Sequence, residues 1–414
     1  MKPHSEVACK PLLFALLAGS TAAASATGFR LPDQDAFATA RGEAFVATAD
    51  NSSAIYYNPA GITQLQGQNI RGGVYALDLN TTYHSPAGGS YDNLRDLHAI
   101  PEFFYTYNPE NLPLAFGLGA YSPYGLSSKW PDQSGFNTIA TEGNLTYMTV
   151  NPVVAWQITP ALSIGGGPTI NYSDIDLRQG LSPIPGNDEF RFRGDDTALG
   201  FNLGLLWHIS PQFSFGASYH SETTLGYKGH TDTRVNTAVP PVFPVPFSVR
   251  QDAQASLPFP QNAIFGLSYR PTPDWNFEFN LDWTDWSRVN SVTISQGGTA
   301  LPPLALGWQS SMYYEFGATR YLGKGWHVSA GYIYNENSVP NATYEPLVFD
   351  LNRHFWSLGA GFQGEHFGFD VAYQLGYGPT RTVSGYPPNA WGQSANGRFD
   401  FLSNALMLTA GWRF

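Results

Sequence analysis

The chain has 414 residues and a net charge of −11, and only 13% of its residues are charged while 15% are aromatic. A soluble domain carries nearer ~25% charged residues, so much of this surface is not built to face water. Yet mean hydropathy is only −0.21, and beyond residue 26 no apolar run approaches the ~18 residues that a membrane helix needs. The acidic balance argues against nucleic acid as a partner. Cys9 is the only cysteine, which excludes a disulfide framework and cysteine-based metal sites.

Residues 1–26 read as a cleavable export signal. Lys2 and Lys10 supply positive charge, 12–18 form a short apolar core, and Ala24-Ser25-Ala26 is a small-residue cleavage site. Residues 27–66 lack strand periodicity. They are rich in Ala, Asp, Asn and Gly, with a helix expected over 36–48. They fit either a periplasmic tail or a hatch filling a lumen too wide for its own side chains.

From 67 to 414 the period is two. Trp275, Phe277, Phe279, Leu281 and Trp283 alternate with Asn276, Glu278, Asn280 and Asp282, and 201–208 and 213–220 behave similarly. Aromatic residues close both ends of the first stripe. The eight residue steps from Trp275 to Trp283 span roughly 26 Å of strand, or about 20 Å when tilted, close to the lipid-facing band of a membrane barrel.

The expected fold is therefore all-β: a 14-stranded antiparallel transmembrane β-barrel with an N-terminal hatch in its lumen. The strands are expected near 69–83, 98–107, 113–122, 144–157, 161–178, 195–208, 212–228, 254–269, 274–287, 308–321, 325–335, 349–363, 366–382 and 397–413. Short connections at 108–112, 158–160, 209–211, 270–273, 322–324 and 363–365 alternate with long ones at 84–97, 123–143, 179–194, 229–253, 288–307, 336–348 and 383–396. Short periplasmic turns and long outer loops are the arrangement of outer-membrane barrels. The last strand keeps Leu406, Leu408, Ala410, Trp412 and Phe414 on one parity. A terminal Phe in that setting resembles the signature read by the barrel-assembly machinery.

Three features suggest a route for a ligand. The fourth long loop holds Pro240-Pro241-Val242-Phe243-Pro244-Val245-Pro246-Phe247. This proline-stiffened apolar stretch either offers a surface landing site or packs on neighbouring loops. Leu181 and Ile184 in the third long loop would form the opposing wall. Gly117, Gly119 and Pro123 in the third strand, with Pro152 and Gly165-Gly166-Gly167-Pro168 beyond it, interrupt three adjacent strands. They point either to a bulged, opened wall or to ordinary barrel curvature.

Thr27-Gly28-Phe29-Arg30-Leu31, Ala49-Asp50-Asn51, Tyr57-Asn58-Pro59-Ala60-Gly61-Ile62-Thr63, Tyr124-Gly125-Leu126, Trp283-Thr284-Asp285-Trp286-Ser287 and Arg353-His354-Phe355-Trp356 together resemble the FadL/TodX family of outer-membrane transporters of long-chain fatty acids and other hydrophobic compounds. The resemblance runs in order along essentially the whole mature chain. It implies a hatch carrying Asn58, Pro59 and Ala60, an inner pocket above it, and sideways release of cargo into the outer membrane at a kinked third strand. Asn58 would satisfy backbone groups freed at that kink.

The chain departs from the fatty-acid pattern in one respect. Gly307-Trp308-Gln309 has no cation and Ser173-Asp174-Ile175-Asp176 is acidic. Arg178, Arg191, Arg193 and Arg353 remain as substitutes for meeting a carboxylate. A neutral or aromatic cargo lined by Tyr56 and Tyr57 is the alternative.

The expected partners are a hydrophobic small molecule, outer-membrane lipids and, through Phe414, the barrel-assembly machinery, with the protein a monomer. No cofactor, metal or catalytic residue is expected. Tyr219-His220-Ser221 cannot make a triad, because neighbours on a strand point to opposite faces. A general diffusion porin is the rival function; it would have an open, charged constriction and no hatch.

Overall fold

The computed structural model describes residues 28–94, 97–242 and 245–414, so the export segment and Phe243 lie outside the described residues. Fourteen strands form the wall among them. They are β1 (Gly67–His84), β2 (Leu97–Asn108), β3 (Leu114–Tyr121, resuming as Gly125–Lys129), β4 (Glu142–Thr159), β5 (Leu162–Gln179) and β6 (Asp188–His208). Then come β7 (Phe213–His220, resuming as Thr223–Val235), β8 (Phe247–Phe259, resuming as Asn262–Thr272), β9 (Trp275–Thr284) and β10 (Ser311–Gly323). The last four are β11 (Trp326–Asn335), β12 (Arg353–Gln363), β13 (Phe367–Val383) and β14 (Gly397–Arg413). Each pairs antiparallel with its neighbours, and β1 closes on β14 from Asn69↔Arg413 to His84↔Arg398, so no sheet edge is left to face lipid.

Burial along β9 shows which solvent the wall faces. Asn276, Glu278, Asn280 and Asp282 are all buried, while Phe277 is 41% and Phe279 36% exposed. Polar inside and apolar outside is the inverse of a soluble sandwich and belongs to a lipid-facing barrel.

Several strands run past the bounds expected from apolar alternation. β6 begins at Asp188, β7 ends at Val235 and β8 begins at Phe247. The third and fourth long loops shrink accordingly, and Phe247 lies on a strand rather than in a loop. These extensions carry Arg191, Arg193, Asp232, Arg250 and Asp252. Their apolar residues, such as Phe192 and Val235, are buried and their other face is charged or polar, so they lack the apolar outer stripe by which a lipid-facing strand is recognised.

Residues 28–66 fill the lumen and are buried almost throughout. The helix expected over 36–48 is shorter: α1 spans Ala36–Ala40. Asp35 caps its start by accepting from Phe37 N at 3.0 Å and Ala38 N at 3.3 Å. Gly42 and Glu43 then take positive φ (+59° and +60°) and stop it. α2 (Ala54–Tyr57) leads into a 3-10 turn over Pro59–Gln64, with Pro59 in its first turn and Ala60 N donating to Asn58 Oδ1 at 3.2 Å.

Ion pairs tie hatch to wall. Arg30 meets Asp282 of β9 at 2.7 Å and Arg41 meets Glu278 of β9 at 3.5 Å. Asp35 pairs with Arg71 of β1, whose guanidinium also reaches Asp370 of β13 at 2.7 Å. Buried pairs add little net stability, but losing one partner strands a charge in a dry interior at a cost of about 3–5 kcal/mol. Two hatch acids, Asp33 and Glu43, form no ion pair among the described residues. Burial, and then Asp33 beside it, holds the Glu43 carboxyl well above the usual carboxylate range, and the Tyr57 hydroxyl contacts it at 2.6 Å.

Two outcomes are expected. Asp35→Ala removes both the cap of α1 and a partner of Arg71. It should speed hydrogen exchange at the Phe37 and Ala38 amides while strand amides stay protected; unchanged exchange would show that the hatch is held by shape alone. Glu43→Gln should stabilise the protein at pH 7 and not at pH 4. A carboxyl whose folded pKa is raised carries a cost that appears as pH climbs above its unfolded value of ~4.3 and is absent below it. Equal gains at both pH values in thermal unfolding would refute this.

Candidate functional site: a hatched lumen with a broken wall

Among the described residues, the ladder is interrupted in three neighbouring parts of the wall, at the β2–β3, β4–β5 and β6–β7 pairings. β2 and β3 pair only from Phe103↔Ala120 to Tyr107↔Phe116. β3 then bends at 122–124, and its second half pairs with β4 alone, from Gly125↔Thr146 to Lys129↔Glu142. The β4–β5 pairing lapses between Val150↔Ile170 and Val154↔Gly166 and resumes in the same register; Pro152 and Pro168 each lack an amide donor there. Asn151 bridges there, its Nδ2 donating to Pro168 O at 2.9 Å. β6 and β7 separate between Asp195↔Lys228 and Asn202↔His220.

The bend in β3 is closed from inside by the start of the hatch. Leu31 N donates to Pro123 O and Gly125 N to Phe29 O, both at 2.8 Å. The Gln34 amide donates to Ser122 O at 3.0 Å and accepts from Ser122 N at 3.3 Å.

This revises the expected roles of several residues. Gly117 and Gly119 do not form the kink; both are in register with β2 and β4, at Thr106 and Val153 and at Phe104 and Asn151. Their missing side chains admit the hatch instead: a Cβ on Gly119 would lie 2.9 Å from Ile55 Cγ2. Pro123 is in the bend itself. Asn58 does not serve β3, because the bend falls further along the strand, beside residues 29–34. Its Nδ2 donates to Val46 O at 2.7 Å and to Leu205 O of β6 at 2.9 Å. Asn58, Pro59 and Ala60 press on β5 and β6, where a Cβ on Gly204 would fall 2.2 Å from Asn58 Oδ1.

The expected pocket and groove residues separate. Tyr56 lines a cavity of about 30 Å³ together with Arg30, Tyr121, Tyr124, Tyr147 and His220. Tyr57 turns into the hatch, where its hydroxyl meets Glu43 and Pro32 O. Leu181 and Ile184 are in the β5–β6 loop, next to the β7–β8 loop: Asn236 N donates to Asn187 O at 2.8 Å and Asn187 Nδ2 to Thr237 O at 3.0 Å. Ile184, Val242 and Val245 are exposed on these two loops.

Of the four candidate arginines, three are spent at the outer rim. Arg178, Arg191 and Arg193 converge on Asp176, and Arg178 also reaches Glu142. Arg353 is fully buried at the start of β12, its guanidinium 3.7 Å above the Phe401 ring. One of its amines donates to Phe349 O, while Nε and Nη1 meet no acceptor among the described residues. Gln34 and the acids that receive Arg30, Arg41 and Arg71 carry no distinguishing signal in the sequence. Parity shows that Glu278, Asp282 and Asp370 point inward but not what they meet across the lumen, and Gln34 and Asp35 are in the hatch, which has no such period.

The family model for outer membrane protein transport protein (OMPP1/FadL/TodX) matches residues 16–413. The long-chain fatty acid transport protein of Escherichia coli (strain K12) is 23% identical over 369 residues, covering 80% of this chain and 82% of that protein. Outer membrane protein P1 of Haemophilus influenzae is 22% identical, covering 86% of each. Among solved structures, a Pseudomonas aeruginosa FadL homologue aligns with TM-score 0.83 at 20% identity over 93% of this chain and 99% of that one. The Pseudomonas putida toluene transporter TodX aligns with TM-score 0.75 at 15% identity over 94% of this chain and 100% of that one. With a family model matched along nearly its whole length and a hatched fourteen-stranded barrel to go with it, the chain is a bacterial outer-membrane protein belonging to the OMPP1/FadL/TodX transport family.

Proposed function

We propose that the protein passively transports long-chain fatty acids, or hydrophobic molecules of similar chemistry, across the outer-membrane surface and releases them sideways into the membrane at the β2–β3 break. The observation that carries this reading is the pairing of a sealed lumen with a wall that is locally unladdered. Arg30, Arg41 and Arg71 lock the hatch to β9 and β1, which argues against a diffusion porin. The β2–β3 separation borders a cavity of about 240 Å³ lined by His98, Ser128, Glu142 and Asn144. An apolar molecule favours lipid over water, so a sideways exit costs less than a path into the periplasm. Exposed Ile184, Val242 and Val245 on adjoining loops supply apolar surface for capture, and Phe243 and Phe247 extend the same sequence stretch. Phe414, 68% exposed at the end of β14, suits recognition by the assembly machinery.

Arg353 bears on the cargo. It is a buried cation with two unanswered donor atoms, set against Phe349, Phe401 and Tyr344. A carboxylate at the end of an apolar tail answers both features. The relatives named for fatty-acid transport support that choice. A neutral aromatic cargo is the second reading: the three arginines joining hatch to wall are all committed to acids, and one structural neighbour is a toluene transporter.

Arg353→Met should separate these readings. A charge-assisted contact contributes about 1.5–3 kcal/mol, so the oleate concentration for half-maximal uptake should rise by about ten- to a hundredfold. Toluene entry should be unaffected, and barrel stability should hold or improve as a buried cation with two unanswered donors is removed. Oleate uptake at the wild-type concentration dependence would remove Arg353 from the pathway. For the exit, Ser128→Trp should fill the β2–β3 cavity. Oleate uptake should fall while the protein still migrates as a folded barrel in unheated gels; normal uptake by a folded variant would place release elsewhere.

A further inference from the structure

The break between β6 and β7 has no role in the mechanism above. On β6 it spans 196–201 and on β7 221–227, one residue longer, so the register shifts across it. It is local. The same stretch of β6 stays paired with β5 from Pro168↔Phe201 to Ser173↔Asp196, and β7 stays paired with β8 from Thr223↔Phe259 to Tyr227↔Ala255.

Side chains partly stand in for the missing ladder. Phe201 N donates to Ser221 Oγ at 2.9 Å and Gly226 N donates to Asp196 Oδ2 at 2.6 Å, while Ser221 N keeps one backbone bond to Phe201 O at 2.9 Å. A side-chain acceptor can rotate away without unzipping a strand, so this seam opens more cheaply than a paired one.

Its position matters as much as its weakness. His220 is opposite Asn262 and Asn262 opposite Thr284, so in register the lower edge of the break lines up, two strands away, with the end of β9 at Trp283 and Thr284. Outside it stand Leu199, 72% exposed, and Phe201, 45% exposed. Inside, the cavity that begins at Arg30 and Tyr56 runs to Phe201, Ser221 and Thr223. Only small side chains lie between: a Cβ on Gly200 would be 2.7 Å from Thr223 Oγ1 and 2.8 Å from Thr169 Oγ1. At the β3 bend, residues 29–34 of the hatch make four hydrogen bonds to the wall. Among the described residues, no hatch hydrogen bond reaches 196–201 or 221–227.

From this arrangement we infer that the β6–β7 break is a second lateral port, through which an apolar cargo passes between the inner cavity and the outer leaflet without hatch movement at β3. The inference rests on the transport reading above and adds a route to it.

The test is a removable staple. A Gly200→Cys/Thr223→Cys pair would place its Cβ atoms within about 4 Å of one another, within disulfide reach, and the only other cysteine, Cys9, is in the export segment. Oleate uptake by cells carrying this variant is compared after oxidation and again after reduction. A several-fold loss on oxidation that reductant restores supports the port. Oxidised protein with no free thiol that transports as fast as the reduced form overturns it.

A second readout needs no cargo. Thr223→Cys should react with a membrane-partitioned pyrene maleimide in the folded barrel, and a thiol there that stays unlabelled until unfolding also overturns the port. If unmodified protein takes up no oleate, the fatty-acid reading fails, and the labelling result still decides whether the seam opens to lipid.

Discussion

A polypeptide in hydrocarbon must satisfy its own backbone hydrogen bonds, because lipid offers no substitute for water. Closure of β1 on β14 meets that demand for most of the wall. Where proline or a register shift breaks the ladder, the replacement comes from inside: the Gln34 amide and the backbone of Phe29 and Leu31 at the β3 bend, Asn151 at Pro168, and Ser221 with Asp196 between β6 and β7. The hatch is therefore part of the wall rather than a plug added to a finished barrel.

The same demand explains the charges in the lumen. Removing charge from water is costly, yet Arg30, Arg41 and Arg71 are all buried at the hatch–wall boundary, each opposite a carboxylate. Such pairs contribute position more than stability. They orient the hatch so that Asn58, Pro59 and Ala60 meet β5 and β6 and residues 29–34 meet β3. Any rearrangement of the hatch must separate or hydrate these pairs, so the plugged state resists small disturbances. The β6–β7 seam contrasts with this: it has weak substitutes for a ladder and, among the described residues, no hatch hydrogen bond between its edges, although Asn202 at its lower edge donates to Ile55 O.

Much of the architecture was legible in the sequence because a barrel strand writes its two faces into alternate residues. Phe277 and Phe279 against Glu278 and Asp282 announced both a strand and the polarity of its surroundings. The expected bounds failed at the upper ends of β6, β7 and β8, where the outer face is charged or polar and no apolar outer stripe marks the strand. Glycine and proline in the third to fifth strands marked a weak wall, but not which residue bends. Gly117 and Gly119 make room for Ile55, and the bend falls at 122–124. Tyr56 and Tyr57, adjacent and chemically alike, went to a cavity and to the hatch interior.

By itself, then, the sequence determined the barrel class, the number of strands and the family resemblance, which rest on local period, turn spacing and contiguous motifs; it marked residues 27–66 as not strand but left them open between a tail and a hatch. Only the tertiary structure decided which lumen charges pair, that Gln34 rather than Asn58 closes the β3 bend, and that Arg353 alone of the four candidate arginines is buried with unanswered donors. These are contacts between residues tens to hundreds of positions apart. Parity says that the wall's side chains among them point inward, but barrel closure and register decide which of them meet.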